Sequence, residues 1–223
     1  MMDIASNIEE IKKNIERYSK SAKVRLIAVT KTVDIPTIEE LIRCGVTDLA
    51  ENKTQLLEKK AKELGKYTNL VWHLIGHLQT NKIKKVLPIV EYIHSVDSIH
   101  LACAIDEHAG KTGKRVKVLL QINVSGEVSK YGFQEDEFLD NISALKNIKN
   151  IDIIGLMTMA PLSASDPELH TIFKRLFEFG ERINSLNIPT IKISEYSMGM
   201  SDDYIVALQE GATMIRVGSA IFK

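Results

Sequence analysis

Val24-Arg25-Leu26-Ile27-Ala28-Val29-Thr30 is a short, mostly apolar run, partly β-branched, that stops at Lys31. Seven more runs of this kind follow, at 47–50, 70–75, 92–96, 117–124, 151–157, 191–196 and 214–217. Runs of this length and composition read as strands. Between them lie segments with helical spacing or helix-forming composition, near 35–44, 52–65, 80–87, 98–110, 134–147, 167–185 and 202–210. Asp97 or Ser98, Asp166-Pro167 and Ser201-Asp202-Asp203 supply helix-start signals. Gly45, Gly65 and Gly211 fall just past helix ends, where a left-handed residue is wanted. Strands alternating with helices require parallel pairing and right-handed crossovers. Eight of them predict an α/β fold closed as a (β/α)8 TIM-type barrel. An open doubly wound sheet is the second reading, weakened because no G-x-G-x-x-G follows the first strand.

Towards the N-terminus, Ile4, Ile8, Ile11, Ile15 and Tyr18 recur at helical spacing and predict an extra amphipathic helix over 3–20. With no helix after the eighth strand, it fills the vacant place in the outer ring. Its two heptads are short for a coiled coil. No linker or low-complexity stretch interrupts the rhythm, so 1–223 reads as one domain.

Composition narrows the function. The 29 basic and 29 acidic side chains cancel, giving no field for nucleic acid and no polybasic membrane patch. Met1-Met2-Asp3-Ile4 has no signal-peptide character, and no run approaches the roughly 20 apolar residues of a membrane span. The expectation is a cytoplasmic protein with a small-molecule or protein partner. Cys44 and Cys103 are far apart and signal neither zinc nor a disulfide.

Barrel sites lie at the strand C-terminal ends. The first strand delivers Lys31; a lysine directly after an apolar strand is expected to be desolvated and nucleophilic, as imine formation with an aldehyde needs, or else to snorkel to water. The seventh runs into Ser197-Met198-Gly199-Met200-Ser201-Asp202-Asp203, and the eighth into Arg216-Val217-Gly218-Ser219. Two serine–glycine turns at these strands, with a permanently charged Arg216, suit a phosphate. His73 either faces the barrel mouth or is a structural, hydrogen-bonded histidine. His73 and His77 are four apart but lack H-E-x-x-H, so no metal is expected. His77 and Gln79-Thr80-Asn81 are expected to organise a loop and cap the next helix. The polar 125–133 loop is either an ordinary connection or a lid. Met157 is core filler or pads a ring face.

Together, Thr30-Lys31, Glu51-Asn52, the Trp72-His73-Leu74-Ile75-Gly76-His77-Leu78-Gln79-Thr80-Asn81-Lys82 run, Ile122-Asn123, Gly155-Leu156-Met157, the Ser197 to Asp203 run and Arg216-Val217-Gly218-Ser219-Ala220-Ile221-Phe222 resemble the pyridoxal phosphate homeostasis protein family (the YggS/PROSC group). That family is related to the alanine racemase barrel. The likeness spans essentially the whole chain in unbroken motif order. It implies a fold-type III barrel carrying pyridoxal 5′-phosphate as a Schiff base on Lys31. The candidate cofactor-binding set is Lys31, Asn52, His73, Met157, Ser197, Met198, Gly199, Arg216, Gly218 and Ser219. Within it, Ser197, Met198, Gly199, Gly218 and Ser219 align with phosphate-holding segments, and Arg216 with an arginine at either the phosphate or the pyridine nitrogen. The resemblance further implies a carrier or regulator of vitamin B6 and amino-acid balance with no catalytic residues. Amino acids and, transiently, pyridoxal phosphate-dependent apo-enzymes are its expected partners, and its expected state is a monomer or weak dimer. His77 replaces a frequent proline and Lys53 a frequent aromatic. Racemisation needs a second proton donor on the opposite ring face, which a tyrosine from an additional domain supplies in alanine racemases; a full barrel in 223 residues leaves no room for that domain. A small amino-acid racemase is the alternative, and a sugar-phosphate enzyme using Lys31 a more distant one.

Overall fold

The computed structural model describes residues 3–127 and 131–223. Strands β1 Arg25–Val29, β2 Asp48–Glu51, β3 Val71–Leu74, β4 Tyr92–Val96, β5 Val116–Gln121, β6 Ile151–Met157, β7 Ile191–Ser197 and β8 Met214–Val217 are parallel and stand in sequence order. The register Ala28↔Val217 joins the first strand to the last, which closes the barrel and excludes the open sheet. Around it lie α1 Ile4–Tyr18, α2 Ile35–Arg43, α3 Thr54–Glu63, α4 Ile83–Val86, α5 Ile99–Thr112, α6 Glu135–Asn141, α7 Asp166–Ser185, α8 Tyr204–Gln209 and α9 Ser219–Phe222. Among the described residues no helix is long and apolar enough to cross a membrane.

Strand alternation sorts the side chains into two layers. Ile27, Val29, Ala50, Tyr92, Leu119, Met157 and Met214 fill the barrel interior. Ala28, Leu49, Leu74, Ile93 and Leu120 face outward into the larger core shared with the helices. The apolar stripe of α1, with Ile4, Ile8 and Ile11 buried, packs on this chain's own barrel. Asn7 Nδ2 donates to the Ile221 carbonyl at 2.9 Å and Asn14 Nδ2 to the Tyr204 hydroxyl at 2.8 Å, tying α1 to α9 and α8.

Several boundaries differ from expectation for local reasons. Strand five stops at Gln121, because Ile122 turns aside to bridge Phe133. The expected 134–147 helix divides into α6 and a 3-10 turn at Ile142–Asn147, a stretch holding the weak helix formers Asn141 and Ser143. The 80–87 helix likewise begins as a 3-10 turn, Thr80–Lys82, and Gln79 makes no side-chain cap. Ser98, not Asp97, caps α5, and α7 starts behind Ser165, whose amide donates to Glu168 Oε2 at 2.7 Å. Gly45 and Gly211 are left-handed with φ of 82° and 93°, but Gly65 is not. Gly113, unforeseen, ends α5 with φ of 69°.

Candidate cofactor site

The rim formed by the strand C-terminal ends gathers most of the expected residues. Lys31 follows β1, and its amine has no hydrogen-bond or ion-pair partner among the described residues. It is exposed, so the desolvation expected of it is absent; the burial of β1 ends at Thr30. Lys31 also borders an open surface groove of about 580 Å³ with Asp34, Pro36, Leu56 and Lys60. Gly218 lies directly against β1, since a Cβ on it would stand 3.3 Å from the Val29 carbonyl oxygen. Gly199 has φ +89°, and a Cβ there would fall 2.6 Å from the Ala207 Cβ. Its carbonyl accepts the Arg216 amide at 3.0 Å, while the Met198 amide donates to Met214 at 3.1 Å. Ser201 Oγ accepts the amides of Gly218 at 3.2 Å and Ala220 at 3.1 Å, around the exposed Ser219. The β7 and β8 loops are thus one hydrogen-bonded unit beside β1. On the other side of β1, after β2, Asn52 is half-buried and closely overlain by Gly76, where a Cβ would lie 1.9 Å from the Asn52 carbonyl oxygen.

Beneath the rim a buried polar chain crosses the barrel. Arg216 donates through Nη1 to Ser197 Oγ at 2.6 Å and through Nη2 to the Thr158 carbonyl at 2.9 Å. His94 Nδ1 is 2.8 Å from Ser197 Oγ, and its Nε2 is 2.9 Å from His73 Nδ1. His73 Nε2 is 3.0 Å from Asp48 Oδ1, which also accepts from Arg25 at 2.7 Å. An arginine only donates and a carboxylate only accepts. With both rings neutral, the protons run one way, from Arg216 through Ser197, His94 and His73 to Asp48, and each histidine is the Nε2–H tautomer. Burial lowers both below their ordinary 6.5, His94 well below, where His73, Arg216 and Arg25 add repulsion. At His73 the Asp48 carboxylate opposes the shift.

Arg216 is 3% exposed and forms no ion pair among the described residues. Burial lowers its pKa to about 10, with Asp203 opposing, so it stays charged at neutral pH. A buried cation with two neutral acceptors calls for an anion or a further acceptor.

The residues expected at the site thus separate by depth. Lys31, Asn52, Gly199, Gly218 and Ser219 stand at the rim, whereas Met157, Met198 and Ser197 are fully buried just below it. His73 is the hydrogen-bonded histidine of the two readings: fully buried, with both ring nitrogens taken, and stacked on Tyr92 at 4.5 Å. His94, Asp48 and Thr158 have no role in the sequence reading, and Ser201, expected at a helix start, instead accepts the amides of the β8 loop; a polar residue at an inward strand position was the signal available for His94. His77 does organise its loop, with Nδ1 2.9 Å from Asp97 Oδ2 and its ring stacked on Tyr131 at 4.5 Å. Of the 125–133 loop, Val128, Ser129 and Lys130 lie outside the described residues. No metal-holding group of His, Cys, Asp and Glu occurs among the described residues.

The family model described as alanine racemase, N-terminal domain, matches residues 6–223. A pyridoxal phosphate homeostasis protein of Synechocystis sp. is 39% identical over 199 residues, 89% of this chain and 90% of that one. One of the same description from Aquifex aeolicus is 34% identical over 216 residues, 96% of this chain and 93% of its own. The chain belongs to the pyridoxal phosphate homeostasis protein family. Within solved structures, PipY of Synechococcus elongatus PCC7942 without PLP has a TM-score of 0.92 at 33% identity, covering 99% of this chain and 100% of PipY. PipY with PLP bound gives 0.91 at 32% and the same coverage. Alanine racemase of Clostridium difficile 630 shares the fold, with a TM-score of 0.74 at 18% identity; the match covers 97% of this chain and 55% of that one.

Proposed function

We propose that this chain binds pyridoxal 5′-phosphate as a Schiff base on Lys31 and serves vitamin B6 and amino-acid homeostasis as a carrier rather than an efficient catalyst. The observation that carries the reading is the juxtaposition of a partnerless Lys31 amine and the glycine-lined β7–β8 loops at one rim with, just beneath it, a buried Arg216 that has no ion pair among the described residues. The family's name and the PLP-bound PipY support the choice of cofactor.

These residues fit the group's chemistry. When bound, it supplies an aldehyde that an amine can capture and a ring that draws electrons from that carbon. Gly199 and Gly218 allow backbone donors close to its phosphate, and Ser219 adds a hydroxyl. Arg216 presents its remaining N–H groups to the phosphate or to the pyridine nitrogen. At the nitrogen it would donate without giving up its proton, leaving the ring a weak electron sink, and this supports storage over turnover. Asn52 borders the ring's space at the β2–β3 end and Met157 pads it from below, while His73 acts through the buried chain. Free amino acids and apo-enzymes are the proposed recipients, in the cytoplasm.

Added pyridoxal phosphate should give an imine absorbance band that borohydride abolishes and that Lys31→Ala lacks; a Lys31→Ala protein with an unchanged band refutes the assignment. Exchange of the α-proton of amino acids for deuterium separates carrier from racemase. Rapid exchange with racemisation would favour the racemase.

A further inference from the structure

Behind Lys31, outside the barrel wall and under α3, three buried polar side chains meet. Thr30 and Glu51 are fully buried and Lys60 is 7% exposed. Lys60 Nζ donates to the Thr30 carbonyl at 2.6 Å and to Glu51 Oε1 at 2.7 Å. The Thr30 hydroxyl donates to that same Glu51 oxygen at 2.6 Å. The Thr30 amide is held by the Ala50 carbonyl at 3.0 Å, and its carbonyl also takes the Val33 amide at 3.1 Å. Every polar group of the residue preceding Lys31 is tied.

Stability alone does not account for this cluster. A buried ion pair returns little once its desolvation is counted. Glu51 Oε2 is buried with no hydrogen-bond partner, a further cost. What the cluster does fix is the peptide that leads into Lys31. That side chain lines the groove shared with Asp34 and Leu56, while the rim, where Gly218 lies against Val29, begins two residues before it along β1. A four-carbon stem is flexible, so its direction is set where it leaves the backbone.

We propose that Glu51 and Lys60 are positioning residues for Lys31, locking the Thr30 carbonyl so that the amine reaches over the rim rather than into the groove. The inference rests on Lys31 as the attaching amine. In that attachment the amine nitrogen bonds to the aldehyde carbon, the aldehyde oxygen leaves as water with the two amine protons, and nothing is oxidised or reduced.

The test compares full-length wild type with Glu51→Met/Lys60→Met and with Glu51→Gln/Lys60→Met. Each is titrated with pyridoxal phosphate, read by the imine band and by mass spectrometry after reduction, and with pyridoxine 5′-phosphate, which has the phosphate but no aldehyde. Removing both charges together leaves none buried alone, so the double variant should melt within a few degrees of wild type. Imine formation should slow about tenfold or more, while pyridoxine phosphate affinity stays within about twofold, since the phosphate loops are untouched. A folded double variant that loses both ligands equally, or neither, overturns the proposal. If it fails to fold, Glu51→Gln/Lys60→Met decides, since it too removes the Lys60 bond to the Thr30 carbonyl without leaving a charge buried alone: slower imine formation with unchanged pyridoxine phosphate affinity supports the role, and unchanged imine formation refutes it. A wild type with no adduct on Lys31 would instead refute the underlying assignment.

Discussion

Ser197 sits where two demands meet, accepting from Arg216 and facing His94. Ser197→Ala removes one of the two acceptors of the buried Arg216 and leaves a buried His94 nitrogen unpaired, and should cost about 1–3 kcal/mol in urea unfolding. The histidines predict a pH dependence. Their folded pKa values lie below the ordinary 6.5, so the unfolded chain takes up protons first as pH falls. Stability is therefore full above about pH 6.5 and declines below it, by up to about 1.4 kcal/mol per pH unit for each histidine. Denaturation midpoints across pH 5–8 check this, and His94→Gln should flatten the slope. Asp48, held low against burial by its bonds to His73 and Arg25, loses its contribution only below its ordinary 3.8, a separate window. At this scale the sequence was partly legible. Lys31 and Arg216 could be named because each ends or nearly ends a recognisable strand. His94 could not, because its partners His73 and Ser197 lie 21 and 103 residues away.

The strand ends and their loops hold the proposed site, and here close approach matters more than side-chain chemistry. Gly76→Ala would put a methyl group 1.9 Å from the Asn52 carbonyl oxygen, forcing the β2 and β3 ends apart. We expect this variant to lose about 1–3 kcal/mol of stability and to bind pyridoxal phosphate more weakly, measured by thermal melting and by titration. Gly199→Ala should cost a similar amount, about 1–3 kcal/mol, from its left-handed backbone. The strands were legible as apolar runs between turn signals, and the serine–glycine loops as candidate phosphate sites. The 3-10 segments at Thr80–Lys82 and Ile142–Asn147 were not, since three or six residues do not show a helical period. For the same reason α9, four residues long, gave no sign of itself.

For the whole molecule, closure is the decisive fact, and eight regularly spaced runs made it readable before any contact was known. The sequence could not say that the barrel interior is threaded by a polar chain, because inward positions are recognised by alternation and polar ones look like strand ends. Nor did it say what α1 supports. That helix braces α8 and α9, which follow the two loops of the proposed phosphate site. Ile8→Ala, at a fully buried position, should cost about 2–5 kcal/mol and weaken pyridoxal phosphate binding through those loops, seen by calorimetry of binding beside a melting curve. The central claim, that this barrel holds its cofactor covalently through one lysine at the end of β1, meets its most direct test in peptide mass mapping of the protein reduced with borohydride in the presence of pyridoxal phosphate. A pyridoxyl group on Lys31, and on no other lysine in proportion, is the predicted result. An adduct confined to other lysines, or none, would contradict it.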